Sequence, residues 1–144
     1  MLNDEQRVEA SVVTHVLAEL GFFFTFGSSS GQEVPAWRLT LTTEAKPEGP
    51  SQNIDVDLFV KKPWLLVQWV QPQPVADAAF LSLLQLNGRL LLARVGLTPE
   101  RHLVVWTQVY FQQLDLHRLR DAVGAVTAGA AESLELIAAA KEPA

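Results

Sequence analysis

No cysteine occurs in this chain. That absence excludes a disulfide scaffold, thiolate zinc or iron–sulfur sites, and a cysteine nucleophile. Basic residues are scarce as well: 11 Lys and Arg stand against 16 Asp and Glu, for a formal charge of −5 and a pI near 5.1. Such a balance argues against nucleic-acid or anionic-membrane binding. Long apolar runs are missing too. The nearest candidate, Gly21 to Phe26, falls far short of the roughly 18 residues a membrane helix needs. The opening residues, Met1-Leu2-Asn3-Asp4-Glu5, are acidic and lack the basic-then-apolar order of a signal peptide, so the expected location is the cytoplasm. Hydrophobic residues still make up 49% of the 144, with 19% charged, enough for one domain with a real core. The last residues, Lys141 to Ala144, read as a frayed tail.

The apolar pattern divides the chain into elements. Val8, Val12, Val16 and Leu20, with Val13 and Leu17 beside them, predict a helix over 4–20. Asn3 with Gln6 three residues on forms a capping signal, and Gly21 suits the stop. Phe22 to Phe26 reads as a short buried strand and Gly27 to Gly31 as a connecting loop. Strict alternation predicts strands over 37–43, with Trp37, Leu39 and Leu41 inward, and over 53–60, with Ile54, Val56, Leu58 and Val60 inward. Lys46 to Pro50 forms the loop between them. After Lys61-Lys62-Pro63 the chain returns as a strand over 64–70. Pairing Val60 with Leu65 and Leu58 with Val67 turns Leu65, Val67 and Trp69 inward; a register one residue shorter would bury Gln68.

Gln71-Pro72-Gln73-Pro74 is expected to break the sheet. A helix follows over 77–86, ended by Gly88, then strands over 90–97 and 102–111 about a Thr98–Arg101 turn. Asp115 caps a last helix whose stripe is Leu116, Leu119, Val123, Val126, Ala130, Leu134 and Ile137. Within that helix Gly124 and Gly129 each cost about 1 kcal/mol relative to Ala, and they leave room for close approach of another element. The order α-β-β-β(-β)-α-β-β-α, with hairpin connections, predicts an α+β fold: an antiparallel sheet with helices mainly on one face.

Catalytic signatures are sparse. His15, His102 and His117 show no metal-ligand spacing among themselves. Asp55 and Asp57 share one strand face, the pattern of an acid–base pair or of a solvated face. Ser28, Ser29, Ser30 and Ser82 lack a nucleophile-elbow setting, and no glycine-rich phosphate loop appears. No cofactor and no metal ligand set is expected. Two readings besides a binding protein remain: a regulatory module holding an apolar ligand against Phe22, Phe24, Trp69 and the last helix, and an enzyme using Asp55 and Asp57.

The tryptophans say more. Alternation places Val104, Trp106, Gln108 and Tyr110 on the outer face of the last strand, with Leu90, Leu92 and Arg94 beside them and Phe59 and Leu66 across the sheet; Leu91, Ala93, Val95 and Leu97 point inward. Trp106, Tyr110, Leu92, Arg94, Phe59, Leu66 and Gln108 together have interface composition. They form either a partner-binding face, for another protein, its extended segment or a second copy, or ordinary core covered by the middle helix or the N-terminal segment.

The second half carries a resemblance. Val56-Asp57-Leu58-Phe59-Val60, the helix end Leu83-Leu84-Gln85-Leu86-Asn87, the run Gly88-Arg89-Leu90-Leu91-Leu92-Ala93-Arg94-Val95-Gly96-Leu97, the strand from Leu103 to Val109 and the entry Leu114-Asp115-Leu116 follow in that order. Across about residues 53–126 the chain resembles the type III secretion chaperone-like fold and, within it, the YbjN family of bacterial proteins. The resemblance implies a small, acidic, often dimeric protein without catalysis that binds a segment of another protein. A cyanobacterial protein with this kind of fold assists β-carboxysome shell assembly by binding a shell protein. The resemblance implies no catalytic residues.

Overall fold

The computed structural model describes residues 2–28, 34–42 and 53–141. Its elements are α1 (Asp4–Glu19), β1 (Phe24–Ser28), β2 (Pro35–Thr42), β3 (Asn53–Lys61), β4 (Trp64–Pro74), α2 (Phe80–Leu86, after a 3-10 turn at Asp77–Ala79), β5 (Arg94–Leu97), β6 (His102–Tyr110) and α3 (Leu116–Lys141). The order is the expected α+β one, with four strands ahead of α2. All six strands pair antiparallel in the order β1-β2-β3-β4-β6-β5. Ser29 to Gly31 of the expected loop, Thr43, the loop at Lys46 to Pro50 and the tail from Glu142 lie outside the described residues.

The ends of α1 follow from its sequence. The Asn3 side chain accepts from the Gln6 amide at 2.8 Å, and the Asn3 amide donates to the Gln6 side chain at 2.9 Å, a reciprocal capping box. At the other end Gly21 adopts φ +81°, and the Phe22 and Gly21 amides reach back to the Leu17 and Ala18 carbonyls. That is a Schellman stop, which needs the left-handed conformation glycine adopts without steric cost. The buried stripe differs from the expected one. Ala10, Val13, Val16 and Leu17 face the core, whereas Val8 and Val12 are exposed. Anchoring rotates the helix this way: Trp37 Nε1–H donates to Thr14 Oγ1 at 3.1 Å, fixing the Thr14 side of α1 against β2.

One face of the sheet supplies the core. Trp37, Leu39, Ile54, Leu58, Leu65 and Leu103 are fully buried on it, beneath Leu119, Val123, Val126 and Ala130 of α3. The β3–β4 register is the expected one, Val60 opposite Leu65 and Leu58 opposite Val67, and it keeps Gln68 out of the core. The turn is tighter than the expected four residues, because Lys61 also pairs with Trp64. Lys62 at this turn is bonded to Glu5 of α1 and lies 3.5 Å from Glu9, tying helix to hairpin. The Glu5 hydrogen bond, more than the two carboxylates' attraction, holds the Lys62 ammonium above the usual lysine range.

Several expectations fail at the sheet margins. β1 is an edge strand, not a buried one: Phe23 is 93% exposed, and Phe26 is half-exposed, its ring centroid 5.3 Å from that of Trp37. Gly27 and Ser28 belong to β1 rather than to a loop. Gln71 to Pro74 continues β4 through a bulge that brings Pro74 opposite His102, so the prolines bend the strand without ending it. β5 begins at Arg94, not Leu90. Leu91 is 92% exposed rather than inward, and Leu90 turns instead toward α3, where its methyl groups lie near Gly129. Leu97 is half-exposed, and Leu116 stands outside the α3 stripe, exposed. Phe111 leaves β6 for a 3-10 turn. By length and mean hydropathy Leu116–Ala140 of α3 would suffice to cross a membrane; here its apolar stripe is packed on the sheet.

Candidate functional site: the outer sheet face

The face of the sheet turned away from the helices is held in register across the whole width. Thr25, Arg38, Asp57, Gln68, Trp106 and Arg94 form one row through all six strands. Beside it Ala36, Phe59, Leu66 and Gln108 form a second, and Lys61, Trp64 and Tyr110 a third. These rows bring together six of the seven residues singled out by alternation: Phe59, Leu66, Arg94, Trp106, Gln108 and Tyr110. Leu92 is the exception. It lies in the bend ahead of β5, 57% exposed, with its carbonyl accepting from Thr107 Oγ1 at 2.7 Å, so it occupies no ladder position. The reason is the late start of β5, whose first paired residue is Arg94.

Among the described residues no helix lies on this face. Trp106 is 36% exposed, Gln108 and Arg94 are exposed, and Phe59, Leu66 and Tyr110 are half-buried. Two further aromatic and aliphatic positions belong to it. Trp64 packs edge-on against Tyr110 at 5.5 Å, and Val70 stands beside Val104. Trp64 was hidden by its place next to the turn; its even-numbered alternation with Leu66 and Gln68 is the signal that marks it.

The face is chemically divided. Toward β2 and β3 it is polar and internally satisfied. Arg38 Nε and Nη2 donate to the two Asp57 oxygens at 2.8 and 3.1 Å, and Thr40 Oγ1 donates to Asp55 at 2.8 Å. The bonds to Asp57, with its charge second, raise the Arg38 pKa still further. Asp55 and Asp57 thus act as cross-strand partners. Toward β4 and β6 the face is apolar and aromatic. Among the described residues no group of three His, Cys, Asp or Glu is placed to hold a metal ion.

The three histidines are dispersed: His15 lies beside Glu19, His117 beside Asp121, and His102 Nδ1 stands 2.8 Å from the Gln71 carbonyl. The residues expected to line an apolar ligand pocket do not meet. Trp69 is buried on β4, and Phe24 is on β1 with β2 and β3 between them. A smaller apolar cleft of about 150 Å³ lies between α2 and β5, lined by Phe80, Leu84, Val95 and Leu97.

The free edge of β5 is closed by side chains. Asn87 donates to the Val95 carbonyl at 3.0 Å and accepts from the Val95 amide at 2.7 Å, and Arg94 Nη1 donates to the Ala93 carbonyl. This occupies the Ala93 and Val95 groups that an added strand would use, a standard protection of a sheet edge. Asn87→Ala is expected to lower stability by roughly 2 kcal/mol, two hydrogen bonds at about 1 kcal/mol each. It should also speed hydrogen exchange of the Val95 amide selectively. Unchanged exchange there would show that Asn87 does not close the edge.

Comparison with protein-family models and with curated proteins finds no match to this chain, so the family resemblance rests on the residue pattern alone.

Proposed function

We propose that this chain is a non-catalytic assembly chaperone or adaptor that binds a segment of a partner protein on its outer sheet face. One observation carries the reading: a registered face, free of helices among the described residues, with Trp106, Tyr110, Trp64, Leu66 and Phe59 on neighbouring strands. Soluble chains rarely leave such contiguous aromatic surface unpaired without an interaction to serve, and Trp and Tyr are the residues that anchor interfaces. The resemblance to type III secretion chaperone-like and YbjN proteins points the same way, with β-carboxysome shell assembly in the cytoplasm as the setting it favours. Because Asn87 occupies the β5 edge, the segment lies across the face rather than extending the sheet at β5.

A photo-reactive benzophenone side chain placed at position 106, with a control at exposed Val8, tests this in lysate of the source cell. The expected result is covalent trapping of one segment of one other protein from position 106 only. The Trp106→Ala protein should bind that segment about 2 kcal/mol or more weakly. Equal labelling from both positions, or labelling of other copies of this chain alone, would overturn the adaptor reading.

A further inference from the structure

We infer that the cleft between α2 and β5 is a binding site for a short aliphatic carboxylate, with a chain of about six carbons in the cleft and the head group on Arg101. The site lies on the helix side of the sheet, apart from the outer face, so it stands or falls separately from the adaptor reading.

Phe80, Leu83 and Leu84 of α2 face Val95, Leu97 and Leu103 of the β5–β6 hairpin across about 150 Å³. All six side chains are hydrocarbon. An apolar cavity of that size takes a body such as benzene, so a saturated chain of about six carbons fills it. Two of the walls are large apolar residues left in water: Leu84 is 64% exposed and Leu97 43%. A chain seated between them removes apolar surface from water on both partners, which is the driving force for its entry.

One end of the cleft carries a charge. Leu97 pairs with Leu103, and the turn between them brings the Arg101 guanidinium over the Phe80 ring, 5.0 Å from its centroid. The backbone of Arg101 is fixed: its amide donates to the Thr98 carbonyl at 2.9 Å, and its carbonyl accepts from the Val75 amide at 2.9 Å. Its φ is +69°, a conformation that glycine takes without steric cost and arginine does not. Backbone strain of this kind clusters at ligand sites. The guanidinium already binds one carboxylate, that of Asp77. The Asp77 side chain is exposed and free to swing into water, and the five N–H donors of the fork accept a second carboxylate beside it or in its place. A cationic head group would meet like charge at this end, and a neutral one would leave the fork unused.

Titration of the full chain, carbon-13 labelled at its leucine and valine methyls, with linear carboxylates tests the inference. Butanoate, pentanoate and hexanoate should shift the Leu84 and Leu97 methyl signals saturably, with affinity rising roughly fourfold per added carbon. The rise should level off beyond heptanoate, whose chain fills the cleft. Hexan-1-ol, which lacks the charge, should bind about tenfold more weakly than hexanoate. Arg101→Gln should erase that preference while retaining the binding of hexan-1-ol, which reports an intact cleft. Leu84→Gln should weaken both ligands roughly fourfold or more. Leu81→Gln, on the same helix and as exposed but outside the lining, should weaken neither. The absence of a saturable shift at millimolar hexanoate would overturn the inference. So would equal affinity for hexanoate and hexan-1-ol, affinity independent of chain length, or a preference for hexanoate that survives Arg101→Gln.

Discussion

Replacing Trp37 by alanine is expected to destabilise the fold by about 3–5 kcal/mol, the range for deleting a large buried aromatic. Trp37 is 1% exposed and is the largest of the fully buried side chains. It joins three elements: its own strand β2, the Phe26 ring of β1, and α1 through the indole N–H bond to Thr14. Its loss leaves a cavity where the helix layer meets the sheet and strips the Thr14 hydroxyl of its donor. Against a total stability of roughly 5–15 kcal/mol, such a loss is a large fraction. The thermal midpoint should fall by roughly 10–20 °C for a chain of this size. Trp37→Phe keeps most of the apolar area and loses the hydrogen bond, worth about 1 kcal/mol, plus a smaller cavity term. Denaturant unfolding followed by far-ultraviolet circular dichroism measures both. A loss under 1 kcal/mol for Trp37→Ala would mean that α1 does not pack on β2 as described.

Trp37 also shows what was legible in the sequence. Strict alternation over Trp37, Leu39 and Leu41, and again over Ile54 to Val60, carries its own inside and outside, because a strand buried on one face admits a single phase. The same rule places Gln68 outward and thereby assembles most of the outer face from sequence alone. Helix ends were equally readable, since Asn3, Gln6, Gly21 and Asp115 act through bonds to their near neighbours. What escaped depends on distant partners. Leu90 to Leu97 is apolar on both parities, so periodicity has nothing to decide between strand and bend there. Asn87 decides it, by bonding Val95 eight residues on. Val8 and Val12 looked like core because a helix of Val, Ala and Leu offers a broad stripe; the tie between Thr14 and Trp37, 23 residues apart, sets its rotation. Pro72 and Pro74 signal a break, yet β4 runs beside β6 and absorbs them in a bulge. The polar half of the outer face was legible as alternation but not as chemistry: Asp55 and Asp57 gained their roles only from Thr40 and Arg38 on the next strand.

The two glycines of α3 make the final test of how that helix sits. Gly124→Ala is expected to stabilise the protein by about 1 kcal/mol, and Gly129→Leu to destabilise it by roughly 3 kcal/mol. Both residues carry the same intrinsic penalty in a helix interior, about 1 kcal/mol relative to Ala. Their surroundings differ. A methyl group at Gly124 would meet nothing within 4 Å, so the propensity gain is realised in full. A methyl group at Gly129 would lie 2.9 Å from Val105 Cγ1 on β6 and 3.6 Å from Leu90 Cδ1. Val105 is fully buried and branched at Cβ, so its methyl cannot swing aside without leaving its rotamer. Overpacking of a filled core costs about 1–3 kcal/mol, which outweighs the propensity gain even for Gly129→Ala. A leucine there adds three more carbons to the same gap and must push α3 off β6. Chemical denaturation of the three variants reads the signs directly. Opposite signs for the two alanine variants would fix the close approach of α3 to β6 at Gly129. Stabilisation by both would place that face of α3 clear of the sheet, and the burial of Val126 and Ala130 beside it would have to be assigned to another partner.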